Sequence, residues 1–124
     1  MLARFDLAMA QNPDLVRGAL EPVILEIIAA GTSYGYEIGR AVQEASGGEL
    51  LAQEGTLYPA LHRLEKRGYL SATWKTSPEG RKRKHYRLTA EGRRYLEALR
   101  TEWAAFSKAV NRILGIAHVA VVCP

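Results

Sequence analysis

Between residues 14 and 31 apolar side chains return every three or four positions. Leu15, Leu20, Val23, Ile24, Ile27 and Ile28 fall on one broad face of a helix. Asp14 is its predicted N-cap and Gly31 its end. Pro22 cannot donate a backbone hydrogen bond, which sets the start of the regular part nearer Glu21. A second helix follows, capped by Thr32 or Ser33, with Ile38, Val42 and Ala45 as its inward stripe and Gly47-Gly48 as its stop. "ELLAQ" reads as a short extended link. "EGTLYPALHRLEKRGYL" is a third helix, with Leu57, Leu61 and Leu64 inward, Pro59 in or just past the first turn, and Gly68 at its close. The period then falls from 3.6 to 2. Leu70, Ala72 and Trp74 alternate with polar residues, "SPEG" turns the chain with Pro78 second, and Tyr86 and Leu88 alternate again, which predicts a hairpin. Thr89 caps a long last helix, with Glu91 near its positive end. Residues 1–13 lack a clear period, and Leu2, Phe5 and Leu7 suit a short arm or a helix.

Helix, helix, helix, hairpin, helix is a mainly α chain with a small β-hairpin. It is the plan of a winged helix-turn-helix over residues 1–88, followed at 89–124 by a long dimerisation helix and an apolar tail. With 124 residues there is room for one domain with a real core. No apolar run is long enough to span a bilayer and no cleavable signal pattern opens the chain. The single Cys123 closes no internal disulfide, which suits a reducing, cytoplasmic setting.

Charge sharpens this picture through its placement. Residues 54–94 hold 11 Lys/Arg and 4 Asp/Glu, a balance of +7, while the rest of the chain sums to −3. Arg81, Lys82, Arg83 and Lys84 stand in a row at the hairpin tip, with Glu79 the one acid in the turn. Adjacent like charges repel, so such a run is either solvated or aimed at an anion. The third helix adds Tyr58, His62, Arg63, Lys66 and Arg67 to the same block, and the combined footprint points to double-stranded DNA. Cations on the tip would neutralise phosphates; Arg63 or Lys66 suits guanine O6/N7, and Thr56 or Tyr58 suits phosphate or a thymine methyl. Ser33, Tyr34 and Tyr36 at the second helix and Pro59 on the third complete the candidate DNA-contacting set.

The last helix carries Leu96, Leu99, Trp103, Phe106, Val110 and Ile113 at alternating spacings of three and four, a seam of nearly three heptads. A helix over 90–114 would be about 37 Å long. Its first turns suit packing on the first helix; its outer part calls for a second copy, hence a homodimer.

At "LVRGALEPVILEIIAAGTSYGYEIGRAV", "GTLYPALHRLEKRGYL" and "RKRKHYRLTAEGRRYL" the chain resembles the PadR family of bacterial transcriptional regulators, in its short form with one C-terminal helix. The resemblance covers residues 15–114. It implies a homodimeric winged-helix repressor whose operator affinity responds to a small aromatic or drug-like molecule. Trp103 matches a tryptophan that in some members lines a flat cavity at the dimer interface, and Leu99 and Phe106 lie beside it on the seam. A tryptophan at such a position is also ordinary packing, and only the shape of the interface decides. The tail "GIAHVAVVCP" leaves packing across a dimer, covering the cavity, and disorder all open.

Rival classes find less support. His62, His85 and His118 are the only histidines, and no HExxH, CxxC, GxSxG, phosphate-loop or dinucleotide fingerprint occurs, so no enzyme, metal site or cofactor is expected. His62 and Glu65 sit one turn apart, but two ligands do not make a metal site. A winged-helix protein-interaction module without DNA binding would not need the +7 block. RNA recognition lacks a visible stacking platform.

Overall fold

Helix α1 (Pro13–Ala29) runs unbroken through Pro22. The expected start near Glu21 and the cap at Asp14 give way to a 17-residue helix that opens on a proline, whose missing N–H has no helical partner at that position anyway. Pro22 removes one backbone bond, and tertiary packing carries the helix across it: Leu20, Ile24, Leu25 and Ile28 are all buried. Leu25 belongs to this inner face, whereas Val23 and Ile27 are only half-covered on its flank. The computed structural model describes residues 5–6 and 13–116 of the chain. The readings made for Leu2, Leu7, His118, Cys123 and the apolar tail lie outside them.

Helix α2 (Gly35–Ala45) is capped by Tyr34 through its backbone alone, not by a Thr32 or Ser33 hydroxyl. Ser33 has another task. Its hydroxyl lies 3.0 Å from His85 Nδ1 and its carbonyl accepts the Tyr86 amide at 2.8 Å. Ile38 and Val42 are buried as expected, while Ala45 is exposed. The link after α2 forms a short strand, β2 (Leu50–Leu51), parallel to β1 (Phe5–Asp6). Helix α3 (Glu54–Lys66) turns Leu57, Ala60, Leu61 and Leu64 into the core. It ends on Gly68 at φ +85°, where the amides of Gly68 and Tyr69 reach back to the carbonyls of Glu65 and Leu64.

Strands β3 (Leu70–Thr76) and β4 (Lys82–Leu88) pair antiparallel, from Leu70 opposite Leu88 out to Thr76 opposite Lys82. Ser77–Gly80 is the turn, with Pro78 second and Gly80 at φ +84°. The alternation holds only near the base: Leu70, Tyr86 and Leu88 are buried, but Trp74 is exposed because the ribbon outruns the core. A single bridge from Tyr34 to His85 ties the ribbon to the start of α2.

Helix α4 (Ala90–Leu114) starts at Thr89, whose hydroxyl accepts from the Gly92 amide at 3.0 Å and donates to the Gly68 carbonyl at 2.7 Å. Its second turn meets a buried carboxylate. Glu21 of α1, 5% exposed, accepts from the Tyr95 hydroxyl at 2.5 Å and pairs with Arg67 at 3.3 Å. Arg67 lies over the rings of Tyr69 and Tyr95, which stack on each other at 4.1 Å. Burial, with the Glu21 carboxylate beside it, pushes the Tyr95 phenol above its ordinary range and keeps it a donor.

Replacing Glu21 with Ala strands the Tyr95 hydroxyl and Arg67; discounting for the half-exposed arginine, the loss in urea unfolding is on the order of 2 kcal/mol, with Glu21→Gln losing less. Gly92 gives a second check. A Cβ there would sit 2.0 Å from the Tyr69 carbonyl oxygen. Gly92→Ala, normally stabilising inside a helix, is therefore expected to destabilise, by about 2 kcal/mol in the same measurement.

Candidate nucleic-acid interface

The buried leucines of α3 leave an opposite arc of His62, Lys66 and Pro59, flanked by Tyr58 and Arg63, all exposed. Thr56, at the first turn, is half-buried. Among the described residues the side chains of His62, Arg63 and Lys66 have no hydrogen bond or ion pair, so their charges and donors face solvent. Tyr58 leans on Gly35, where an added Cβ would come within 2.8 Å of its ring. Burial there, with Glu54 nearby, pushes its phenol up, and the hydroxyl stays a donor at neutral pH. Tyr36, on the first turn of α2, is exposed.

The four consecutive cations divide two and two. Arg81 and Lys82 are exposed, with no side-chain partner among the described residues. Arg83 lies 4.7 Å over the Tyr34 ring and 3.9 Å from Glu79. Lys84 reaches Glu65 of α3 at 2.7 Å, a hydrogen bond that holds its ammonium above the ordinary lysine range. The reading of the run as unbalanced, with Glu79 the one acid in its turn, therefore needs amending, because Glu65 is a second acid brought in by the fold. Ser33 and Tyr34 likewise anchor the ribbon from within, the Tyr34 ring standing 5.7 Å from that of His85. Sequence reading missed this anchoring, since residues 33 and 85 are far apart along the chain. It also missed Lys75, an exposed cation on β3 without a partner among the described residues.

Glu65 is thus occupied by Lys84 and does not join His62 in a metal pair. Among the described residues no cluster of three or more His, Cys, Asp or Glu side chains is placed to hold a metal. No helix among them is long and apolar enough to cross a membrane.

A second feature lies at the root of the last helix. Leu96 is buried in this chain's own core, and Leu99 and Val110 are half-covered. Trp103, Phe106 and Ile113 are 43%, 59% and 83% exposed. The Trp103 and Phe106 rings stand 6.2 Å apart. At the foot of this stripe a groove of about 720 Å³ opens between α1, the end of α2 and α4. Pro22, Val23 and Ile27 line one side, Val42 and Leu50 its floor, and Leu96 and Trp103 the other, with Arg100 bridging to Glu26.

Three short helices and a two-stranded ribbon, with α3 exposed beside the ribbon, define a winged-helix protein. Residues 24–98 match the transcriptional regulator PadR-like family, and the chain belongs to that family. It is 36% identical over 98 residues to an uncharacterized protein of Lysinibacillus sphaericus, covering 79% of this chain and 90% of the other. A transcriptional regulator from Clostridium thermocellum superposes with a TM-score of 0.73 at 34% identity, over 80% of this chain and 96% of that one. A PadR-like regulator from Bacillus cereus gives 0.68 at 35%, over 82% and 96%.

Proposed function

We propose that this chain is a sequence-specific DNA-binding regulator that acts as a homodimeric repressor on a near-palindromic operator. One observation carries the reading: on α3 and the ribbon, Arg63, Lys66, Lys75, Arg81 and Lys82 have no partner among the described residues, while Arg67, Arg83 and Lys84 are engaged within the fold. Free cations on two adjoining elements suit a duplex, with α3 in the major groove and the ribbon against the backbone. Affinity comes from phosphates met by Arg81, Lys82 and Lys75; preference comes from base edges met by Arg63 and Lys66, with Tyr58, His62 and Thr56 beside them.

The outer half of α4 supports the dimer, because no described part of this chain covers Trp103, Phe106 and Ile113. Two copies joined there present two α3 helices to half-sites roughly 34–36 Å apart. The groove beside Trp103 is apolar and within the size range of small-molecule sites, and suits a planar aromatic effector stacked on that indole. Its occupation at the dimer seam would alter operator affinity.

Duplex titrations at several salt concentrations test the DNA reading. Arg81→Ala combined with Lys82→Ala should weaken all sequences alike and flatten the slope of log affinity against log salt by about two. Arg63→Ala or Lys66→Ala should instead cost about tenfold on the operator and little on random duplex. Unchanged affinity in all of these variants refutes the assignment. For the dimer, sedimentation equilibrium at micromolar concentration should give twice the chain mass, falling to one with Trp103→Asp and Phe106→Asp together; a monomeric wild type refutes it.

A further inference from the structure

Trp74 is 66% exposed in the middle of the ribbon. It sits on the face that nearer the base carries Leu70 and Ala72, one rung beyond the last covered pair. Directly across from it is Lys84, and the next pair outward on the same face is Thr76 with Lys82. Lys84 is held to Glu65 of α3, so this face of the ribbon is the one turned toward that helix. Trp74, Lys75, Thr76 and Lys82 together line a shallow hollow. Nothing in the fold accounts for the indole: it has no ring partner among the described residues, and it packs into no core.

Isolated exposed apolar residues are ordinary on protein surfaces. This one differs in its setting, a large flat ring that shares a hollow with the free cations Lys75 and Lys82 on a projecting ribbon. The surface that complements it is flat and apolar, bordered by negative charge. A nucleic-acid backbone has that character, with deoxyribose rings between successive phosphates. An acidic protein surface offers the charge without the repeated flat apolar element.

We propose that Trp74 is a DNA-backbone contact, its indole packed on the deoxyribose rings of the strand that borders the ribbon, with Lys82 and Lys75 on the flanking phosphates. The inference rests on the DNA-binding reading above and adds a part to it. The contact is apolar and releases no counterions, so it supplies affinity that salt does not screen.

The test uses the full chain and a random-sequence duplex. Trp74→Ala should weaken binding about tenfold at every salt concentration, leaving the salt slope and the thermal midpoint unchanged. Fluorescence adds a direct readout, since Trp74 and Trp103 are the only tryptophans. Duplex should shield an indole of the wild type from acrylamide, and that added shielding should vanish in Trp74→Phe while DNA still binds. Wild-type affinity in Trp74→Ala, or shielding that persists in Trp74→Phe, overturns the inference and leaves the DNA reading standing. A flattened salt slope would mean the substitution acts through the lysines, and overturns it too. Loss of a dimer in Trp74→Ala without DNA would make a second copy the occupant instead. A wild type that binds no duplex at low salt sinks both readings.

Discussion

The fold depends on one buried carboxylate. Glu21 has almost no contact with water, and an ionised group in that position is tolerable only when its oxygens are satisfied. Tyr95 and Arg67 satisfy them, and each comes from a different element. The two tyrosine rings beneath Arg67 then fill the space beside the charge, so the polar and apolar parts of the node require each other. The result fixes α1, the end of α3, the start of β3 and the second turn of α4 in one place. The helix proposed to meet DNA and the helix proposed to meet a second copy are thereby referred to a common origin.

The cations follow from the same logic of satisfaction. A cation near the body of the fold has an acid or a ring beside it: Arg67 has Glu21, Lys84 has Glu65, and Arg83 has Tyr34. These hold the ribbon and α3 in a fixed relation. The cations beyond them, Arg81, Lys82, Lys75, Arg63 and Lys66, have nothing comparable among the described residues. A stretch that reads in sequence as one run of like charge is two populations in space, one internal and one outward. Distance along the ribbon separates them: Lys82 and Lys84 share one face of β4, yet only Lys84, the one nearer the base, reaches Glu65 of α3.

Periodicity made most of this architecture legible. Leu57, Leu61 and Leu64 at spacings of four and three, the change to a two-residue period at Leu70, and the Thr89 cap placed α3, the ribbon and α4 within a residue or two of where they lie. Other features escaped because they rest on contacts between distant residues. Pro22 reads as a break, yet burial on both sides of it outweighs one missing backbone bond. Ser33 reads as a cap, yet β4 offers it a partner. Trp74 continues the alternation of Leu70 and Ala72 yet lies exposed, because alternation says which face a residue takes, not how far the core extends beneath it. Glu21 and Arg67 carry no sequence signal of their pairing, 46 residues apart.

The groove and the Glu21 node are not independent. Pro22 and Leu96, which line the groove, are the chain neighbours of Glu21 and Tyr95, which form the node. Neighbouring residues in a helix move together, so whatever occupies the groove bears on the helices that hold α3. Gly92 against the Tyr69 carbonyl makes that linkage stiff, since backbone touches backbone there with no side chain to yield. The base of the ribbon is therefore tied directly to the start of α4, where the Thr89 amide also donates to the Tyr69 carbonyl at 3.1 Å. In the dimer proposed above, the spacing between the two ribbons is then set by how the α4 helices meet, and a small change at that seam becomes a change in operator fit.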